Sequence, residues 1–198
     1  MTRRAPRRAR ADAAAGRRGR SPGARRRTAG DIRVRPTAAR VRDALFNTLG
    51  DRIRGATVLE LFAGTGALGL EALRRGAAAV VFVEQDARLA RALLAHARAR
   101  GSADRVEVRA EDALAAIRRL GAAGRRFALI LMDPPYGQGW IPRALEAVAA
   151  AGVLAPDGLV VAEGHWRDRP GEAAGWRLER EARYGETALW YLRAADGS

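Results

Sequence analysis

The stretch FALILMDPPYG, residues 127–137, carries an apolar run straight into an aspartate, two prolines, a tyrosine and a glycine. Residues of these types suit the chemistry of an amine. An exocyclic amine on a nucleobase is a poor nucleophile, because its lone pair is delocalised into the ring. The Asp133 carboxylate and the Pro134 carbonyl are two acceptors for the hydrogens of one such nitrogen. Held by both, the nitrogen is biased toward a pyramidal shape with its lone pair turned to an electrophile. Pro135 has no N–H and fixes the turn at one φ. Tyr136 offers a ring face on which a flipped or single-stranded base can stack. The reaction served is an in-line displacement, accelerated by positioning and electrostatics. It calls for no metal and no covalent nucleophile. Taken alone, D-P-P-Y favours an amine methyltransferase over a plain proline turn after a strand, and the other strand ends decide how strongly.

In open α/β sheets, ligands sit at the carboxyl ends of the strands, near the point where strand order reverses. ELFAGTGALG brings Glu60, Gly64, Gly66 and Gly69 to one such end. Glycines there let the backbone turn sharply and approach a ligand. Glu84 follows twenty residues after Gly64, where a ribose diol is held, and Asp112 ends a third run. Together these ends describe one nucleoside-binding crevice. G-x-G-x-x-G with an acid about twenty residues later is also the dinucleotide fingerprint. Glu60, however, sets a carboxylate against a loop that would otherwise cradle a pyrophosphate, and hydride transfer has no use for D-P-P-Y. S-adenosylmethionine, with a sulfonium, an ammonium and a ribose but no phosphate, suits an acidic loop better.

The elements that must position these residues are legible in the pattern. RPTAARVRDALFNTLG reads as a helix with Thr37 at its N-cap, Val41, Leu45, Phe46 and Leu49 on one face, and Gly50 closing it. Strands are expected at 57–63, 79–86, 106–112, 127–135 and 158–164, with helices at 66–76, 87–100, 113–120 and 141–151 between them. The last two alternating runs, 176–185 and 187–194, read as a hairpin turning at Gly185 and Glu186. Repeated βα units imply a parallel sheet with helices on both faces, made mixed by the hairpin.

At 198 residues the chain is expected to hold one folded domain, 31–198, behind an arginine-rich tail, 1–30, too poor in large apolar residues to fold alone. Residues 1–35 contain thirteen arginines against Asp12 and Asp31, so most of the +14 net charge lies there. The chain has no lysine, which with its alanine excess points to coding bias more than to a binding code. A dense arginine tail still suits a polyanion. With no cysteine, disulfides and thiolate metal sites are excluded. No run approaches the length of a membrane span, and no apolar stretch follows the basic start as in a secretory signal. A cytoplasmic protein is the expectation.

RPTAARVRDALFNTLG, ELFAGTGALGLEALRRGA, VEQD and DPPYGQG, in this order, resemble the bacterial 16S rRNA guanine-N2 methyltransferases, over residues 32 to the C-terminus. The Arg-Pro-Thr helix start is the most family-specific part. The resemblance implies an α/β, Rossmann-like class I S-adenosylmethionine-dependent methyltransferase fold, with a mixed seven-stranded sheet ending in the antiparallel hairpin. It implies S-adenosylmethionine as donor and a guanine N2 amine of 16S rRNA as acceptor, in a partly assembled small ribosomal subunit, with the enzyme a monomer. By position, Glu60, Gly64 and Gly66 line the methionine end of the donor, Glu84 its ribose and Asp112 its adenine; Phe62, Ala63 and Gln85 join this set. Asp133, Pro134 and Tyr136 hold the base, on the turn that Pro135 fixes. The family usually opens with a short β-hairpin. Here RRGR (17–20) echoes its second half, but ADAAAG replaces the first, and the arginine tail is expected to substitute by charge.

Other readings stay open: an amine methyltransferase acting on DNA, on 23S rRNA or on a protein glutamine, a basic RNA-binding module with a vestigial crevice, or, more weakly, a nicotinamide dehydrogenase. His96 reads as a solvated helix residue. His165 is placed to approach the crevice, but the two histidines give no metal signal. Trp140 is read chiefly as packing, with capping of a base pocket as the alternative. Arg40 and Arg42 are as consistent with a solvated helix face as with a contact to RNA or donor.

Overall fold

The computed structural model describes Met1, residues 36–171 and residues 175–195. The expectations for residues 1–30, including the RRGR segment, lie outside the described residues. Val34–Ser198 form one compact unit. In chain order its elements are α1 (Pro36–Leu49), β1 (Thr57–Leu61), α2 (Ala67–Arg74), β2 (Ala79–Val83), α3 (Ala87–Ala99), β3 (Val106–Arg109), α4 (Ala113–Ala122), β4 (Phe127–Met132), α5 (Trp140–Ala151), β5 (Leu154–His165), β6 (Trp176–Tyr184) and β7 (Thr187–Ala194). The strands form one seven-stranded sheet in the order β3-β2-β1-β4-β5-β7-β6. β1 to β5 run parallel, and β7 lies antiparallel to both β5 and β6. The mixed sheet and its C-terminal hairpin are as the sequence implies.

Side chains alternate along each strand, so the sheet divides the core in two. On one face Val58, Val80, Phe82, Leu131 and Val161 share an apolar cluster with α1, α2 and Leu93 of α3. On the other, Leu59, Val81, Ile130 and Val160 meet α4 and α5. The expected face of α1 is buried: Val41, Leu45, Phe46 and Leu49 enter the first cluster together with Leu189 and Tyr191 of β7. Each such side chain contributes about 1.5–3 kcal/mol on burial. Helix α1 therefore clamps the hairpin end of the sheet to its centre.

Two expected boundaries are corrected. Helix α1 begins at Pro36, so Thr37 stands inside the first turn and is not the N-cap. Proline suits the first helical position, where its missing N–H goes unneeded. Strand β5 begins at Leu154, not 158, because Leu154 pairs with Phe127 before the register slips and resumes at Leu159 opposite Leu129. Pro156 and Gly158 lie in the slipped stretch, which hides it from a pattern reading. The outer strand β3 is guarded by charge: Arg109 pairs with Glu107 and Glu111, and Arg125 and Arg119 add further ion pairs to the same acids.

Candidate active site

The strand order reverses between β1 and β4, which makes their carboxyl ends the expected crevice. The alternation that buries Val58, Phe82, Leu131 and Val161 on the α1–α3 face places Glu60, Glu84, Asp133 and Glu163 on that same face, each two residues further along. Four adjacent strands thus deliver four carboxyl groups to one rim. Charge interactions join Glu60 to Asp133 and Asp133 to Glu163.

Glu60 is 3% exposed. It is turned beneath the glycine loop, where Oε2 accepts from the Gly69 N–H at 2.6 Å and Oε1 from Leu68 N–H at 3.4 Å. These are N-terminal groups of α2. In a dinucleotide site such groups are left for pyrophosphate; here the protein's own carboxylate has taken them. Burial, with a smaller push from Asp133, raises the Glu60 carboxyl to about 8, although its two backbone donors act in the opposite sense.

The three glycines are not equivalent. At Gly64, φ is +55° and a Cβ would meet nothing within 4 Å, so the chain turns there under open space. Gly66, at φ +73°, is packed against Leu93 and Phe82. Gly69 faces inward, and a Cβ would stand 2.5 Å from Phe82, 2.6 Å from Glu60 and 2.7 Å from Val80. Its absence of a side chain serves helix-to-sheet packing, which corrects the reading of all three as ligand approaches. Glu84 closes the loop from the next strand: Oε2 accepts from Gly64 N–H at 2.7 Å and Oε1 from Asp86 N–H at 2.8 Å. Gln85 beside it is exposed, and Ala63 is buried, its N–H bonded to Val83 O at 2.9 Å. Asp112 is exposed and caps α4 through the Ala115 N–H at 3.0 Å.

Phe62, between Glu60 and Gly64, holds φ +58°, which no other described non-glycine residue approaches. Strain of this kind costs about 1–3 kcal/mol and clusters at functional sites. Its ring leans on Trp140 at 5.4 Å, and Arg143 lies 4.4 Å above the Trp140 ring. Trp140, half-buried at the start of α5, thus contacts the glycine loop and also lines the pocket beside Pro134 and Tyr136.

After β4, Asp133 is exposed, Pro134 buried, and Pro135 and Tyr136 exposed. The turn is braced by Gly137 N–H donating to Asp168 Oδ2 at 2.8 Å. Tyr136, 45% exposed, is with Met1 one of two large apolar residues left open among those described. Its ring lies 6.3 Å from His165, which stacks on Trp166 at 5.8 Å. The Tyr136 hydroxyl faces Thr187 and Glu163; burial, then the Glu163 charge, pushes it up to about 12. Burial and the Asp133 charge raise Glu163 to about 8. Glu163, Thr187 and Asp168 were missed by sequence reasoning. For Glu163 the signal was present, since it follows Val161 by the same two steps that single out Glu84 and Asp133. His96 is exposed in the last turn of α3, as expected. Among the described residues no group of three or more His, Cys, Asp and Glu could hold a metal, and no helix is long and apolar enough to cross a membrane.

The model of the family described as conserved hypothetical protein 95 matches residues 23–193. The chain belongs to this family. It is 34% identical over 166 residues, 83% of this chain and 82% of the relative, to the ribosomal RNA small subunit methyltransferase D of Escherichia coli strain K12. A solved structure of a conserved hypothetical protein from Streptococcus pyogenes superposes with a TM-score of 0.69 at 32% identity, covering 76% of this chain and 93% of that one. A ribosomal protein L11 methylase from Lactobacillus delbrueckii, at 17% identity and a TM-score of 0.60 over 71% of this chain and 70% of its own, shares the fold alone. The family's fold is that of the class I methyltransferases, and the acidic rim sits at its switch point.

Proposed function

We propose that the chain transfers a methyl group from S-adenosylmethionine to the N2 amine of a guanine in small-subunit ribosomal RNA. The observation that carries this reading is the rim itself: Glu60, Glu84 and Asp133 converge on one face, beside an exposed Tyr136, at the carboxyl ends of adjacent strands. The 34% identity to a small-subunit rRNA methyltransferase supports the choice of acceptor. Gly64, turning under open space, and the acidic lining both fit a cationic donor, while the N–H groups that would hold a phosphate are occupied by Glu60.

When bound, the donor supplies an electrophilic methyl group on a positively charged sulfur. Glu60 holds the glycine loop to α2 through the Leu68 and Gly69 N–H groups. Glu84, with one lone pair of each oxygen spent on backbone N–H groups, keeps others for a ribose diol. Asp112 is assigned to the adenine of the donor, and Gln85 beside Glu84 to the same donor site. Asp133 and the Pro134 carbonyl accept from the guanine amine, and Tyr136 stacks on the base. As the nitrogen–carbon bond forms and the methyl–sulfur bond breaks, the amine sheds one proton, and the Asp133 carboxylate can receive it. The enzyme acts in the cytoplasm as a monomer, on RNA within a partly assembled small subunit.

The test is methyl transfer from labelled S-adenosylmethionine to small subunits from cells lacking this protein, with naked 16S rRNA and DNA alongside and Asp133→Ala as control. Label that digests to N2-methylguanosine and disappears with the control is expected. Label confined to DNA, or none despite donor binding, overturns the choice of acceptor.

A further inference from the structure

Glu163 lies outside the D-P-P-Y turn, yet it stands directly beside it. Strands β4 and β5 pair in parallel with Met132 level with Ala162, so the next residues, Asp133 just past β4 and Glu163 within β5, stand at the same height. Adjacent strands lie about 4.8 Å apart, and both side chains project from the same face of the sheet. Glu163 is only partly exposed, and the Tyr136 hydroxyl faces its carboxyl from the turn. On the other side, β7 brings Thr187 to the Tyr136 hydroxyl, so three elements meet around this acid.

A guanine presents two adjacent donors, N1–H and the N2 amine. Adenine and cytosine each present an amine next to a ring acceptor. Asp133 alone can take an amine from any of the three. A second carboxyl at the same height adds an acceptor where only guanine has a hydrogen to give. Resting on the reading that the substrate is a guanine amine, we infer that Glu163 is the specificity-determining residue of this site, accepting N1–H while Asp133 accepts the amine. Burial and the Asp133 charge favour the protonated form of Glu163 in the free protein; on binding guanine that proton passes to solvent and a Glu163 oxygen accepts N1–H. An amine next to a ring acceptor offers no such hydrogen, so the charged Glu163 faces a lone pair, and an unpaired buried acceptor costs binding.

The experiment compares two RNAs, one carrying guanine and one carrying 2-aminopurine at the nucleotide the wild-type enzyme methylates. 2-Aminopurine keeps the amine and replaces N1–H by an acceptor. Wild type is expected to prefer guanine by roughly 10- to 100-fold in kcat/KM. Glu163→Gln, whose amide can donate to N1, is expected to narrow or reverse that preference, with donor affinity by calorimetry unchanged. A merely structural role would lower both substrates by the same factor, and that result overturns the inference. So does a wild-type enzyme indifferent to the substitution, a reading that needs no variant to fold. Absence of wild-type methylation of guanine RNA would instead overturn the proposed function on which the inference rests.

Discussion

The roles of Gly64 and Gly69 can be separated by one pair of alanine substitutions. In Gly69→Ala the new methyl would stand 2.5 Å from Phe82, 2.6 Å from Glu60 Oε2 and 2.7 Å from Val80. Overpacking of this kind costs about 1–3 kcal/mol. Displacing the Gly69 N–H from the Glu60 carboxyl, now 2.6 Å away, forfeits a buried hydrogen bond of about 0.5–1.5 kcal/mol. The gain in helix propensity returns about 1 kcal/mol. The net is a loss of about 0.5–3.5 kcal/mol. Gly64→Ala meets no atom within 4 Å and carries only the left-handed backbone cost, about 1–2 kcal/mol. Its methyl, however, would project into the space assigned to the donor. Urea denaturation followed by circular dichroism, and calorimetric titration with S-adenosylmethionine, read the two effects separately. Gly69→Ala should be the less stable protein and Gly64→Ala the weaker binder, by tenfold or more. A Gly69→Ala protein as stable as wild type would refute the packing assignment. An unchanged donor affinity in Gly64→Ala would refute the donor's place.

Glu60 gives stability a slope in pH. Its carboxyl, ordinarily near 4.5, is held at about 8 in the fold, so between those values the native state keeps a proton that the unfolded chain has lost. Stability should therefore fall as pH rises from about 4.5 to 8, by about 3–5 kcal/mol in all; urea midpoints across that range in the donor-free protein test this, and a flat profile contradicts it. Asp112→Asn preserves a cap and Asp112→Ala removes one worth about 1 kcal/mol; if Asp112 also meets the adenine, both variants should bind donor more weakly, whereas a capping role alone leaves the Asn variant normal by calorimetry. Asp168→Ala frees the Gly137 N–H and should lower kcat severalfold without altering donor affinity, as single-turnover assays would show. Gly164→Ala would press a methyl to 2.9 Å from Trp190 and 3.0 Å from Ile141, and should cost about 1–3 kcal/mol in thermal or urea unfolding.

The helices and strands were legible because their apolar periods are clean, and Glu84 and Asp133 because they end buried runs. The places where the reading slipped have physical causes. Leu154 joins β5 across an irregular register that contains Pro156, and no local pattern announces such a slip. The motif G-x-G-x-x-G does not say which glycine faces a ligand; only the positions of Phe82 and Val80 reveal that Gly69 faces the core. The orientation of Glu60 toward the Leu68 and Gly69 N–H groups depends on α2 being docked, which spacing alone does not show. Thr187 and Asp168 come to the turn from strands and loops far along the chain, and long-range proximity leaves no trace in spacing.

The carboxylate under α2 also bears on what the protein must ignore. Adenosine phosphates share the donor's adenosine. A nucleoside crevice with a vacant helix N-terminus would offer them an anion site as well. By seating an acid of its own at Leu68 and Gly69, this chain spends the helix N–H groups that a phosphate would need. Such a competitor finds its anchor already occupied, whatever its adenosine would contribute.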